Sequence, residues 1–346
     1  MSATGRMVRI DARTPWAFAD VGGIPLCVRA CRQARKAGFA GAIVVTGPNV
    51  EAARRALARR PAGMPVDVVE HEAREAAAGE VALDGAAVYD DLASPPARTV
   101  RDAASRAEAE RHVWRRIRKS VQSDGFVAYF LARPVTVPLT RLLVRTRVRA
   151  NQVTALALLV GVAGGVLAAT GRFAAGFGLY FLGSFLDCID GDIARVRIEG
   201  SRLGEWLDTL ADDGSTLAIT AGTTLGLHAR TGAAWVLALG LLAAGAFLAS
   251  SAYVYRFLAR TPGSIDTARF PWWFLEATPV EGGGGGALGW LQYLNRRDFQ
   301  TAAMFALALA GLVWLDFVWL CAAHLVYASL LCVHVLGRLP RDSARA

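Results

Sequence analysis

The chain has 346 residues, 54% of them apolar, and a formal net charge of +9 from 38 Lys and Arg against 29 Asp and Glu. That length admits two domains, and the arginines crowd beside long apolar stretches, which points to anionic lipid headgroups rather than nucleic acid as their partners. Five cysteines, at 27, 31, 188, 321 and 332, show neither a metal-ligand nor a disulfide spacing, which excludes a cysteine-stapled scaffold.

Residues 1–112 are charged and broken by polar residues, and read as a small soluble α/β domain. The first residues lack an apolar core of signal-peptide length, so insertion is expected to depend on later spans. A helical pattern over 24–36 leads into Gly41-Ala-Ile-Val-Val-Thr-Gly47, a short strand closed by a glycine turn. Val50 to Arg60 predicts a second helix, Val66 to Glu70 a strand and Ala86 to Tyr89 a third strand. The stretch from Gly23 to Gly47 resembles part of the sugar-phosphate nucleotidyltransferase fold. That family begins with a strand and a glycine-rich basic loop, and neither is visible ahead of Val21-Gly22-Gly23. The resemblance therefore implies a degenerate, inactive domain. Asp90 and Asp91 follow a strand, where such enzymes place a metal-binding acid; a solvated pair at a strand end is the alternative.

Residues 113–150 form a connector. Arg101 to Lys119 is charged and helix-compatible, and Ser123 to Arg149 interleaves apolar residues with arginines at 141, 145, 147 and 149, as an amphipathic helix in the membrane interface does. Six spans are expected over 151–338, at about 152–170, 174–192, 205–227, 232–257, 299–315 and 317–337, the last two separated by a polar break at Asp316. Arginines crowd alternate loops, whereas the others hold only Arg172 and Arg230, so both termini are expected to be cytoplasmic, with 339–346 as a tail. Trp272 and Trp273 fit an interfacial belt, and Gly282 to Gly286 fits a linker. His324 and His334 have no partner at ligand spacing and read as packing residues. The fold class expected is a six-helix, all-α polytopic membrane domain with an interfacial helix, preceded by a small α/β cytoplasmic domain.

Four aspartates at fixed spacing carry the chemistry. On one helix Asp187, Asp190, Gly191 and Ala194 fall at i, i+3, i+4 and i+7; on a second, Gly204, Asp208 and Asp212 fall at i, i+4 and i+8. Each segment presents its carboxylates in one stripe. A charge at the centre of a membrane helix costs about 2.5–3.5 kcal/mol on insertion scales. No lysine or arginine lies between Arg202 and Arg230 to offset it. Clustered carboxylate oxygens suit Mg2+ or Mn2+, which two facing helices are able to hold between them.

The stretch Asp187-x-x-Asp190-Gly191-x-x-Ala194-Arg195-(eight)-Gly204-x-x-x-Asp208-x-x-x-Asp212 resembles the signature of the CDP-alcohol phosphatidyltransferase family, with all eight positions filled. Asn151-Gln-Val-Thr154 is similar to that family's P-N-x-x-T element, with Ala150 in place of proline, and Asp124-Gly125 and Arg133-Pro134 are similar to its interfacial helix. The resemblance implies a two-metal site of Asp187, Asp190, Asp208 and Asp212, with Asp212 also the general base. It places Asn151, Thr154, Gly191, Ala194, Arg195 and Gly204 around a cytidine diphosphate. It further implies a CDP-linked donor, a hydroxyl acceptor, release of CMP in phospholipid synthesis, residence in a bacterial or archaeal cell membrane, and homodimers, which are common among relatives. CDP-diacylglycerol is the expected donor; a CDP-polyol or CDP-amino-alcohol with a lipid acceptor is the alternative. Asp213-Gly214 stands where relatives that use inositol phosphate carry arginine, which argues against that acceptor. Ion-coupled transport is the rival reading of intramembrane acids. It predicts acids near mid-bilayer on broken or repeated spans, and neither feature is visible.

Overall fold

A computed structural model describes residues 6–70, 81–90, 92, 94–117, 124–261, 265, 267, 270–272 and 296–336. The chain divides into two units, the first comprising Met1–Lys119, Val137–Arg149 and Gly191–Gly200, the second Ser120–Thr136, Ala150–Asp190 and Ser201–Ala346. Asp91, Trp273, Gly282 to Gly286 and the tail lie outside the described residues.

In the first unit, alternation in Met-Val-Arg-Ile-Asp turns Val8 and Ile10 inward and forms strand β1 (Met7–Asp11). Next come β2 (Asp20–Val21), β3 (Ile24–Pro25), helix α1 (Leu26–Lys36), β4 (Gly41–Thr46), helix α2 (Val50–Arg59), β5 (Val66–Glu70) and β6 (Val81–Asp84). The main sheet is parallel, in the order β5-β4-β1-β6, with Val8 opposite both Ala42 and Val81. Helices α1 and α2 are the crossovers such a sheet requires. Val8, Ile10, Val28, Cys31, Ala42, Val44 and Leu83 form its core.

Two expectations are corrected here. A strand does precede Val21, and it is central to the sheet; the segment after it holds a 3-10 turn at Pro15–Phe18 and no glycine before Gly22. The strand expected over Ala86–Tyr89 is present at Ala87–Val88 but lies outside the parallel sheet, whose edge is β6 instead. The Asp84 carboxylate accepts from Ala86 N, and Gly85 N donates to Asp11 O, so the chain turns there. Beyond the turn, β7 (Ala87–Val88) pairs antiparallel with β8 (Arg98–Thr99), and helix α3 (Ala103–Ile117) follows. Asp90 is ion-paired with Arg116 at 2.5 Å and bonded to His112 at 2.9 Å.

The second unit is helical. A π-helical turn at Ala128–Ala132 runs into α4 (Arg133–Leu143); Asp124 pairs with Arg133, and Asp298 accepts from Ala128 N at 2.9 Å. Six helices then occupy the expected positions: α5 (Ala150–Ala169), α6 (Phe173–Arg197), α7 (Arg202–Thr231), α8 (Ala234–Arg260), α9 (Arg297–Leu309) and α10 (Val313–Leu336). Four of them, α5, α6, α8 and α10, are long and apolar enough to cross a membrane. Helix α7, with its acids near one end and threonines and glycines through the rest, is less apolar than that pattern requires, and α9 is only 13 residues long. The break between α9 and α10 falls at Gly311, φ +76°, not at Asp316, which is fully buried inside α10.

Helices α5 and α7 touch through small residues: a Cβ at Gly222 would lie 2.0 Å from Gly165 O, and one at Gly165 would lie 2.3 Å from Ala218 O. Only glycine permits that approach, the usual device where lipid supplies no hydrophobic drive between helices. Phe173, Phe177, Ile219, Val236, Met304 and Phe317 fill the centre. Leu156, Leu159, Val166, Leu241, Leu242, Val326 and Val333 point outward, an apolar exterior suited to lipid.

Candidate active site

Helix α7 begins at Ser201, whose side chain accepts from Gly204 N at 3.1 Å, and this cap fixes the rotation at which the helix presents its acids. Asp208 and Asp212, one turn apart, then face Asp187 of α6. One carboxylate oxygen from each of the three lies within 4.8 Å of the others. Hard anionic oxygens at this spacing fit Mg2+ or Mn2+.

Asp190 is not a member of that trio. It is 4% exposed, and one of its oxygens accepts from Thr154 Oγ1 of α5 at 2.5 Å. The structure thus joins two predicted site residues, Asp190 and Thr154, directly. It also brings Asn151 to Gly204, where a Cβ would stand 3.3 Å from Asn151 Oδ1. On α6, Arg195 pairs with buried Asp192 at 2.7 Å, and a Cβ at Gly191 would stand 3.2 Å from Arg195 Nη2, so the predicted pair Gly191 and Arg195 are neighbours. Ala194 lies between them on the same helix.

Sequence reasoning missed two features. Arg297, at the start of α9, forms an ion pair with Asp212, so the acids do have a basic partner, drawn from a distant helix rather than from α7 itself. Asp213, adjacent to Asp212, accepts from Ser251 Oγ at 2.8 Å and from the Tyr255 hydroxyl, both on α8. Spacing cannot reveal either, because the partners come from separate helices.

Membrane-length apolar helices together with a three-carboxylate centre between α6 and α7 define a class, an integral membrane protein equipped for chemistry on anionic groups. Residues 147–326 match the CDP-alcohol phosphatidyltransferase family, and the chain belongs to it. A "Bifunctional IPC transferase and DIPP synthase" of Thermococcus kodakarensis is 38% identical over 105 residues, covering 30% of this chain and 24% of that one. A protein of the same name from Rubrobacter xylanophilus is 31% identical over 112 residues, 32% of this chain and 26% of that one. The chain thus spans about a quarter of the length of these relatives. The crystal structure of Mycobacterium tuberculosis phosphatidylinositol phosphate synthase with CDP-DAG bound aligns with a TM-score of 0.40 at 20% identity, over 57% of this chain and 90% of that one.

Proposed function

We propose that the protein transfers a substituted phosphate from a CDP-linked donor to an acceptor hydroxyl and releases CMP, as a step of phospholipid synthesis. The observation that carries this reading is the meeting of Asp187, Asp208 and Asp212 from two helices, with Arg297 against Asp212. Asp187, Asp208 and Asp212, with Asp190 beside them in sequence, would hold two divalent cations, Mg2+ or Mn2+. Such ions, when bound, neutralise the diphosphate and the departing nucleotide. Asp212 takes the proton of the acceptor hydroxyl. Arg195 pairs with a donor phosphate. Asn151, Thr154, Gly191, Ala194 and Gly204 line the nucleotide, the glycines allowing it to approach the backbone closely. The helices α5 to α10 make six spans, with both termini and the carboxylates on the cytoplasmic side of a bacterial or archaeal membrane, in a protein that pairs as a homodimer. Residues 1–112 form a nucleotidyltransferase-like domain without catalytic activity.

CDP-diacylglycerol is the proposed donor, in keeping with the family's description as phosphatidyltransferases. A second reading, a CDP-polyol donor with a lipid acceptor, draws support from the relatives, whose shared name is not that of a phosphatidyltransferase. Purified protein assayed for CMP release across CDP donors and alcohols separates the two. Chelator should abolish release, and Mg2+ or Mn2+ should restore it; full turnover in metal-free buffer, or no CMP from any donor, would overturn the reading.

A further inference from the structure

The first unit collects three separate stretches of chain, and four arginines tie them together through main-chain carbonyls. Arg29 of α1, 3% exposed, donates Nη2 to Val196 O at 2.7 Å and to Val21 O at 2.9 Å. Arg32, one turn on and 4% exposed, donates Nη1 to Arg197 O at 2.7 Å and to Glu199 Oε1 at 3.0 Å, and also reaches Pro61 O. The Arg197 side chain, fully buried, turns the other way, to Leu143 O and Thr146 O at 2.9 Å each and to Val148 O. Arg60, just past α2, donates to Val144 O at 3.3 Å and to Thr146 O. Two backbone links, 143–148 and 196–199, are thereby pinned to the α/β fold and to each other.

Burying guanidinium groups is costly unless each finds acceptors. Here burial pushes Arg29 down to about 10, with Glu110 opposing the shift. Four such groups for two short links is a large outlay for a surface that could have been packed with leucine. The second link is also strained. Ile198 has φ +55°, the one non-glycine residue in the left-handed region among the described residues. It occupies the position past the end of α6 that glycine usually fills: Ile198 N donates to Arg195 O at 3.3 Å and Glu199 N to Ala194 O at 2.9 Å. A β-branched residue holds that conformation only where its surroundings over-determine it. Arg32 supplies that constraint, gripping the carbonyl before Ile198 and the carboxylate after it.

The two links lie at informative places in the chain. Residues 196–203 join the half of the signature that carries Asp187 and Asp190 to the half that carries Asp208 and Asp212, and 143–148 run directly into Asn151 and Thr154. We propose that the α/β domain is a positioning clamp: Arg29, Arg32, Arg60 and Arg197 hold these links so that the two halves of the site are in register before a CDP-linked donor arrives. The clamp rests on the proposed transfer reaction for its purpose, and on the bonds above for its existence. It gives the domain proposed above to be inactive a task in the same reaction. None of the four arginines is a catalytic residue.

The test uses the full-length protein in detergent, with Arg32→Met, Arg29→Met and the conservative Arg32→Lys. Hydrogen exchange without substrate should speed up at 143–149 and 196–200 in the Met variants while β4 and α5 keep their protection, and Arg32→Lys should recover part of it. Because loosening lowers the fraction of competent molecules, the KM for the CDP donor should rise about tenfold while kcat at saturating donor changes by less than about twofold. A variant that merely folds poorly would instead lose kcat at constant KM. Unchanged exchange at both links, exchange rising equally in β4, or kinetic constants equal to those of the parent would overturn the clamp. Failure of the parent protein to release CMP from any donor counts against the transfer reaction alone, since the exchange measurement still decides whether the links are clamped.

Discussion

At the scale of single residues, Asp208 and Asp212 sit one turn apart yet have different neighbours, since only Asp212 is ion-paired with Arg297. General-base help is typically worth about 10²–10⁴-fold, so Asp212→Asn should depress turnover by that order while sparing much of the metal-dependent donor affinity. Asp208→Asn should weaken metal and donor binding together. Titrating donor against both variants decides the matter, and normal turnover by Asp212→Asn would assign the base elsewhere. Arg297→Met removes a cation held against a carboxylate; a loss of about 10²-fold in kcat is expected if its guanidinium serves the developing charge, measured as CMP release at saturating metal. The acids were legible because helical periodicity alone puts them in stripes. Arg297 was not, because its sequence neighbours, Arg296 and Asp298, are charged too and nothing local marks it as facing Asp212.

Among the elements, long apolar helices and amphipathic α1 announce themselves by period, and their positions in the sequence fall close to those in the structure. The misses were short. Strand β1 has five residues, of which Val8 and Ile10 are the buried ones, too brief a pattern to stand out ahead of Pro15. The turn at Gly311 was masked by the stronger polar signal of Asp316, which the fold instead buries within α10. Local pattern also gave no hint of Ile198 in a left-handed conformation, which follows from what grips it on either side. A left-handed non-glycine residue carries roughly 1–2 kcal/mol of strain. Ile198→Gly should therefore raise the detergent-solubilised unfolding midpoint. A lower midpoint would mean that the isoleucine side chain contributes more by packing than its backbone loses by strain.

For the molecule as a whole, the ends of the helices in the second unit sort into two sets. Arg230 Nη2 donates to Gly171 O at 2.5 Å, joining the turn between α5 and α6 to the end of α7. Trp235 stacks on Trp314 at 5.6 Å, which brings the starts of α8 and α10 to the same place. At the opposite ends, Arg202 donates to Ala259 O at 3.0 Å and Arg297 meets Asp212. The first set of turns carries only Arg172 and Arg230, while the second carries Arg202, Arg256, Arg260, Arg296 and Arg297. Positive charge is retained on the cytoplasmic side, so the carboxylate end should face the cytoplasm and the sparse turns the exterior. The native thiols interfere little with a labelling test. Cys27, Cys31 and Cys321 are buried, and burial pushes the Cys27 thiol up to about 12. Cys332→Ala removes the exposed one and Cys188→Ala the half-buried one. In that background, Thr231→Cys and Leu312→Cys should react with a membrane-impermeant maleimide on intact cells. Gly200→Cys, where a Cβ meets nothing within 4 Å, should react only after permeabilisation. Labelling of Gly200→Cys on intact cells would invert the topology and place the site on the side that cytoplasmic CDP-linked donors do not reach.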